Sequence, residues 1–284
     1  MKPTFYILFI AAFFLSCRSN PKQTAKDTTT NIKPTADQTQ ELIKKFRPII
    51  QGVWVKKDYI DKVIKTKSPL AAIDECRGIT IMYINTDHIK GDSLQFIAGY
   101  FNHDSGNVTI QFKPGKNPST ILFNNEDLSY SIENGDTTIT VFQYDNQKKL
   151  IVKAKFIKAL NRQSDDDLGY GMNYMIDKGI FSGNYILTDS TGSVSKISFT
   201  NDGKVSGFLN FSEYNINIDL NNDAMDNLDM IFFRDKKKTA DNNFHGDYSF
   251  KLNSDTLSLF DTHPNVDSSE LILGKRIYKL VKQK

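Results

Sequence analysis

Apolar and polar residues alternate without a break over residues 214–220, Tyr-Asn-Ile-Asn-Ile-Asp-Leu, and the same period of two returns at 108–112 and 248–252. A period of two places one face of an extended chain in a core and the other in water, the pattern of an antiparallel strand. Between the runs lie Asp104-Ser105-Gly106-Asn107, Asn134-Gly135-Asp136, Asn201-Asp202-Gly203-Lys204 and Asn253-Ser254-Asp255, composed of residues that tolerate tight turns. Short strands joined this way predict an all-β chain, a sandwich or a barrel. Helical patterning is confined to three places. Residues 38–47 predict a short helix, with Asp37 as N-cap and Pro48 as its stop. Residues 59–66 and 172–178 predict two shorter ones.

The pattern also recurs in order. IIQGVWVKKD returns as GIFSGNYILTD, matching Gly52 to Gly183, Trp54 to Tyr185 and Val55 to Ile186. HDSGNVTIQF is matched by NDGKVSGFLNF, YSIENGDTTITVF by YSFKLNSDTLSLF, and LIVKAKFIKAL by LILGKRIYKLV, the last pairing Lys158 with Lys279. Four segments repeated in one order predict a tandem duplication. The expected units are 41–160 and 172–284, separated by a polar, acidic linker at 161–171. The first unit carries extra chain after its first strand, an insertion at 56–80.

Each half has the length and strand number of a small closed antiparallel up-and-down barrel, which leaves no exposed sheet edge. Gly52-x-Trp54 on the first strand, after a short helical turn, resembles the signature of the lipocalin-like, or calycin, barrels. That resemblance implies that Trp54 closes one end of the barrel under a basic residue of the last strand, Lys155 or Lys158. In the second half it implies Gly183 and Tyr185 under Arg276 or Lys279, with Tyr departing from the family's Trp. It also implies a ligand in the first barrel, lined by Tyr59, Tyr83, Phe96 and Tyr100, with 56–80 as a lid. The alternative is that 56–80 packs as a spacer between the barrels.

The amino terminus bears on location. Lys2 precedes an apolar run at 5–15, shorter than the roughly 17 residues a bilayer span requires. It ends in Phe14-Leu15-Ser16-Cys17, which resembles a bacterial lipobox, and implies a signal peptide at 1–16 and an acylated (palmitate-bearing) Cys17. Residues 17–40, rich in Thr, Lys, Asn and Pro, predict a flexible tether. The expected address is the Gram-negative cell envelope, lipid-anchored, at the outer membrane facing the periplasm.

Chemistry is sparse. The net charge is +3, with no basic stripe, so nucleic-acid binding has no electrostatic footprint. Lys236-Lys237-Lys238 fits a solvated loop. The four histidines, His88, His103, His245 and His263, show no metal-ligand spacing. Asp219-x-Asn221-x-Asp223 starts like a calcium loop, but Ala224 and Met230 stand where Gly and Glu are required. Asp165-Asp166-Asp167 fits a solvated linker. Once Cys17 is acylated, Cys76 has no partner for an internal disulfide. No nucleophile elbow or catalytic set is present, so neither an enzyme, nor a cofactor, nor a metal is expected. The function expected is binding of a hydrophobic or amphipathic small molecule. The alternative is a non-catalytic interaction or scaffold lipoprotein whose filled barrels dock an envelope partner.

Overall fold

The computed structural model describes residues 35–117, 119–145, 147, 149–162, 169–188, 191–220, 225–235 and 246–283. Cys17 and most of the tether, Asp165 to Asp167, Asn221 to Ala224, Lys236 to Lys238 and His245 lie outside them. Pro34–Lys284 forms one compact unit. The chain is all-β, with two tandem eight-stranded antiparallel barrel sheets that fit a lipocalin-like fold.

A helix leads into each barrel. The first, α1 (Ala36–Ile50), is capped by Thr35, whose hydroxyl accepts from the Gln38 amide at 3.3 Å. Asp37 therefore lies inside the helix rather than at its cap. Pro48 does not stop it: the helix runs two residues further and carries Ile50 into the core with Phe46. That burial outweighs the hydrogen bond a proline removes so near a helix end.

The first barrel comprises β1 (Gly52–Lys56), β2 (Ile79–Ile84), β3 (Ser93–Tyr100), β4 (Asp104–Pro114), β5 (Ile121–Phe123), β6 (Glu126–Glu133), β7 (Asp136–Tyr144) and β8 (Leu150–Leu160). Each strand pairs with the next, and β1 pairs with β8 to close the ring. Trp54, Met82, Phe96, Phe112, Phe123 and Phe156 fill the interior over the buried Phe46 and Ile50.

Between β1 and β2 lies the inserted segment, α2 (Lys57–Thr66) and a 3-10 turn at Leu70–Cys76. It is a spacer and not a lid. Because β1 alternates, Trp54 points inward while Val53 and Val55 point outward, as Ile81 does on β2. Tyr59, Ile60 and Val63 of α2 cover these outward residues. The same cluster takes in Met172 and Ile176 of α3 (Tyr170–Ile176), and Ile180 and Phe181 of the π-helical turn Asp177–Phe181 that continues it. From there it runs into the second barrel. At Gly171 the helix lies so close to the first barrel that a Cβ would meet Val53 Cγ1 at 2.4 Å. The Leu70 amide also donates to Asp229 of the second half at 2.8 Å.

The second barrel comprises β9 (Gly183–Thr188), β10 (Val194–Phe199), β11 (Val205–Ser206), β12 (Phe211–Ile216), β13 (Met230–Asp235), β14 (Gly246–Asn253), β15 (Thr256–Pro264) and β16 (Leu271–Lys282). Its sheet order is β11-β10-β9-β16-β15-β14-β13-β12. The seam between β11 and β12 holds one bridge, Lys204 to Glu213, and one backbone bond from the Tyr214 amide to the Gly203 carbonyl at 2.8 Å.

Three of the four repeated segments fall on equivalent strands: β1 and β9, the β6–β7 and β14–β15 hairpins, and β8 and β16. The second pair does not. Residues 103–112 form the turn into β4 and most of that strand, whereas 201–211 run from the β10–β11 turn to the start of β12. Both stretches read as turn followed by strand, and turn chemistry alone does not number the strand.

Because one apolar cluster joins α2, α3 and the second barrel, the halves are expected to unfold together. Ile176→Ala should cost about 2–5 kcal/mol. It should lower the urea midpoint read by Trp54 fluorescence in the first barrel as much as the midpoint read by far-ultraviolet circular dichroism. An unmoved Trp54 midpoint would mean that the barrels unfold separately.

Candidate functional site

The foot of each barrel is built on one plan. Gly52 has φ 128° and Gly183 φ 142°, a region that L side chains rarely adopt. There the chain turns from helix into first strand. Two residues on, the aromatic side chain swings back under the barrel. Trp54 Nε1 donates to the Ile50 carbonyl at 2.7 Å, and the Tyr185 hydroxyl donates to the Phe181 carbonyl at 2.8 Å. In both cases the acceptor is four residues earlier, across the glycine. A Cβ on Gly52 would lie 2.5 Å from the Leu160 carbonyl oxygen.

A lysine of the last strand covers each ring. Lys158 Nζ is 4.8 Å from the Trp54 ring centroid and donates to the Ile49 carbonyl at 3.3 Å. Lys282 Nζ is 5.7 Å from the Tyr185 centroid. Partial burial lowers the pKa of both. The expected pairings through Lys155 and Arg276 are corrected. Lys155 is exposed opposite Thr140, and Arg276 is exposed opposite Phe260. Nor does Lys279 reach Tyr185: it pairs with Ser258. The cause is register. Trp54 pairs with Lys158 and Tyr185 with Lys282, so KFIK of β8 matches KLVK at the end of β16, not the segment that begins at Leu271.

Strand parity divides the expected ligand-lining residues. Phe96 lies inside the first barrel, 6.2 Å from Phe123 between ring centroids, and Tyr100 packs against that interior from the rim. Tyr59 and Tyr83 do not line it. Both belong to the cluster outside the barrel wall, Tyr59 on α2 and Tyr83 opposite Ile97 on the outer side of β2.

At the end of the first barrel opposite α1 the interior becomes polar. Glu126 and Gln143 stand two residues from the inward-facing Leu128 and Val141, and so on the same face. Gln143 Nε2 donates to Glu126 Oε1 at 2.6 Å. Burial holds the Glu126 carboxyl above the usual range, against the opposing pull of Gln143 and Lys116. Burial, then Glu126, raises the Tyr100 hydroxyl. Leu150 and Val152 are exposed on the neighbouring strand. These positions are not legible from hydropathy, because polar residues at a strand end read as turn.

Another carboxyl, in the second foot, escaped the sequence reading. Counted back from its glycine, Asp177 holds the place in the second foot that Phe46 holds in the first. It is 2% exposed, and its Oδ1 has no hydrogen-bond partner. Tyr214 adjoins it but gives its own proton to the Thr200 carbonyl at 2.7 Å. A protonated Asp177 can donate to the Tyr214 oxygen; an ionised one cannot. Burial first, and then Asp202, pushes the Asp177 carboxyl well above the usual range, with Tyr214 opposing. The counting that aligns Gly52 with Gly183 could have found this residue.

Cys76 is buried, with Asn102 Nδ2 at 3.2 Å from its sulfur, and burial pushes its thiol up to about 12. It is a thiol, not a thiolate nucleophile, near neutral pH. His103 Nδ1 lies 2.8 Å from Asp219 Oδ1 across the two halves. Among the described residues no group of three or more His, Cys, Asp and Glu side chains converges as a metal centre would require. Comparison with protein families, curated proteins and solved structures finds no match for this chain.

The foot predicts a graded mutational response. Lys158→Ala should cost about 0.5–2 kcal/mol through the lost ring contact and shift Trp54 emission. Lys155→Ala should stay within about 0.5 kcal/mol of the parent in urea unfolding. Asp177 predicts a pH response. Its folded pKa lies above the unfolded value, so its contribution is fully present in acid below the unfolded carboxyl range. That contribution is lost as the pH rises from there through the folded pKa. Asp177→Asn should therefore stabilise the chain at neutral pH and flatten this fall. An unchanged slope would mean that Asp177 ionises freely in the fold.

Proposed function

We propose that this chain is a non-catalytic interaction module of the cell envelope, a lipocalin-like lipoprotein held by an acylated Cys17 and a tether to the periplasmic face of the outer membrane. The observation that carries this reading is the filling of the barrels. A ligand chamber leaves its lining side chains with accessible surface. In the first barrel Trp54, Met82, Phe112, Phe123 and Phe156 retain at most 1%. In the second, Phe181, Phe199, Phe208, Phe211, Tyr214, Phe233 and Phe250 touch ring to ring, at centroid separations from 4.9 to 6.4 Å. An eight-stranded barrel is just wide enough for its own side chains to fill it, and a filled one has its outer surface left for recognition.

One observation favours a second reading, in which a small amphipathic molecule binds. Glu126, Gln143 and Tyr100 form a half-buried polar rim beside the exposed Leu150 and Val152. A ligand there would set a donor group on Glu126 and an apolar body against the rim.

Native mass spectrometry of the chain from Arg18 onward, with solvent extraction of the same sample, separates the two. The interaction reading expects the mass of the polypeptide alone and an empty extract. A reproducible added mass that disappears in Glu126→Gln would overturn it in favour of a carrier.

A further inference from the structure

The duplication supplies an internal comparison for one surface. In the first barrel the outward residues of β1 and β2, Val53, Val55 and Ile81, are buried beneath α2 and α3. Their equivalents in the second barrel are Asn184, Ile186 and Lys196, since Ile186 pairs with Lys196 as Val55 pairs with Ile81. Asn184 and Lys196 are exposed and Ile186 is partly so. The face that binds a helical layer in one barrel is therefore open in the other, and its chemistry has changed from aliphatic to cationic with aliphatic residues between.

The register lays this face out. One row runs Thr256, Val281, Ile186, Lys196 across β15, β16, β9 and β10. A second holds Lys251, Ser258 and Lys279, and Val194 stands beside Thr188. A third holds Phe260 opposite Arg276, with Lys251 Nζ 5.6 Å from the Phe260 ring. Neighbouring strands lie about 4.8 Å apart, so these cations share one continuous surface. None of Lys196, Lys251, Arg276 and Lys279 forms an ion pair among the described residues. Strands β9, β10 and β16 contain no Asp or Glu. The carboxylates on or beside the face are the exposed Asp261 of β15, next to Phe260 and against Gly274 of β16, Asp255 at a hairpin turn near Lys282, and Asp247 opposite Phe232 toward the far end of β14. Between the cations Val194 is 58% exposed, Ile277 45% and Val281 39%.

We propose that this outer face of the second barrel, on β14, β15, β16, β9 and β10, docks onto an anionic lipid bilayer. Unpaired cations attract anionic headgroups, and exposed aliphatic side chains between them gain by entering the headgroup layer. An acidic protein could cover the same cations and aliphatic side chains; the bilayer is chosen on the reading that Cys17 keeps the chain at a membrane, and the test below separates the two. The face is tested without that anchor. Acylation is read separately, from the mass of the membrane-extracted protein.

The experiment is co-sedimentation of the unacylated chain from Arg18, which contains the whole compact unit Pro34–Lys284, with two kinds of vesicle. One is phosphatidylcholine alone and the other phosphatidylcholine with phosphatidylglycerol. Binding is expected only to the second, and it should weaken as salt is raised. The double variant K196E/K279E should bind at least about tenfold more weakly. K153E/K155E makes the same charge change on exposed lysines of β8 in the first barrel and should bind like the parent. All four side chains are exposed, so both variants should keep the parent's unfolding midpoint. Absence of anionic selectivity, or equal loss in the two variants, would overturn the proposal. Tighter retention by polyglutamate than by anionic vesicles would overturn it as well, and would assign the face to an acidic protein.

Discussion

A small barrel has two open ends, and everything in this molecule depends on how the foot of each is shut. The device is a helix, a glycine with positive φ, and an aromatic ring folded back to bond a carbonyl four residues behind it. A lysine from the last strand then lies over the ring. The ring cannot reach that carbonyl unless the glycine turns the chain, and the lysine cannot reach the ring unless the last strand pairs in one register. The foot thus fixes the entry of the first strand, the closure of the ladder and the position of the helix together. With Gly52 and Trp54 in place, α1 must deliver Phe46 and Ile50 beneath the barrel. With Gly183 and Tyr185 in place, the α3 segment must do the same with Phe181.

The second foot is made differently, and the difference has a physical cost. Asp177 stands where the first foot has a phenyl ring, so a carboxyl is buried there and desolvation pushes its pKa well above the usual range. The helix that carries it also has to serve two neighbours. Its inner side plugs the second barrel and its outer side meets α2 and the wall of the first. A short helix wedged between two barrels cannot be apolar on one stripe alone, and the π-helical turn after α3 lets Asp177, Ile180 and Phe181 all turn into the core. The coupling of the halves thus depends on the extra chain after β1: α2 supplies the apolar layer into which the second foot packs.

Much of this was legible in the sequence because the relevant signals are local. Alternation at 108–112 and 248–252 marked strands, Gly-x-Trp and Gly-x-Tyr marked the feet, and the extra chain at 56–80 lay where α2 is found. What was not legible depends on register and parity. Lys155 and Lys158 are equally good cations in a sequence, and only the bulge between Val53 and Trp54 and the pairing that follows it select Lys158. Tyr83 and Phe96 are equally good aromatic strand residues, and one residue of phase sends Tyr83 to the outer wall. The 103–112 and 201–211 segments are alike because turns draw on few residue types. Glu126 and Gln143 were hidden for a related reason: a polar residue at a strand end signals a turn, whichever way its side chain faces.

Filling and exposure are linked in this fold. The chain carries 20 Phe and 12 Tyr, and in the second barrel the rings pack against one another, which favours rigidity over an internal chamber. A rigid, filled barrel has only its rim and its outer wall left with which to recognise anything. In the first barrel the β1–β2 wall is consumed by α2 and α3. In the second the equivalent wall stays open and has exchanged Val53 and Ile81 for Asn184 and Lys196, side chains that remain hydrated when nothing covers them. One wall holds the molecule together by burying aliphatic side chains, and the other keeps polar and charged ones in water.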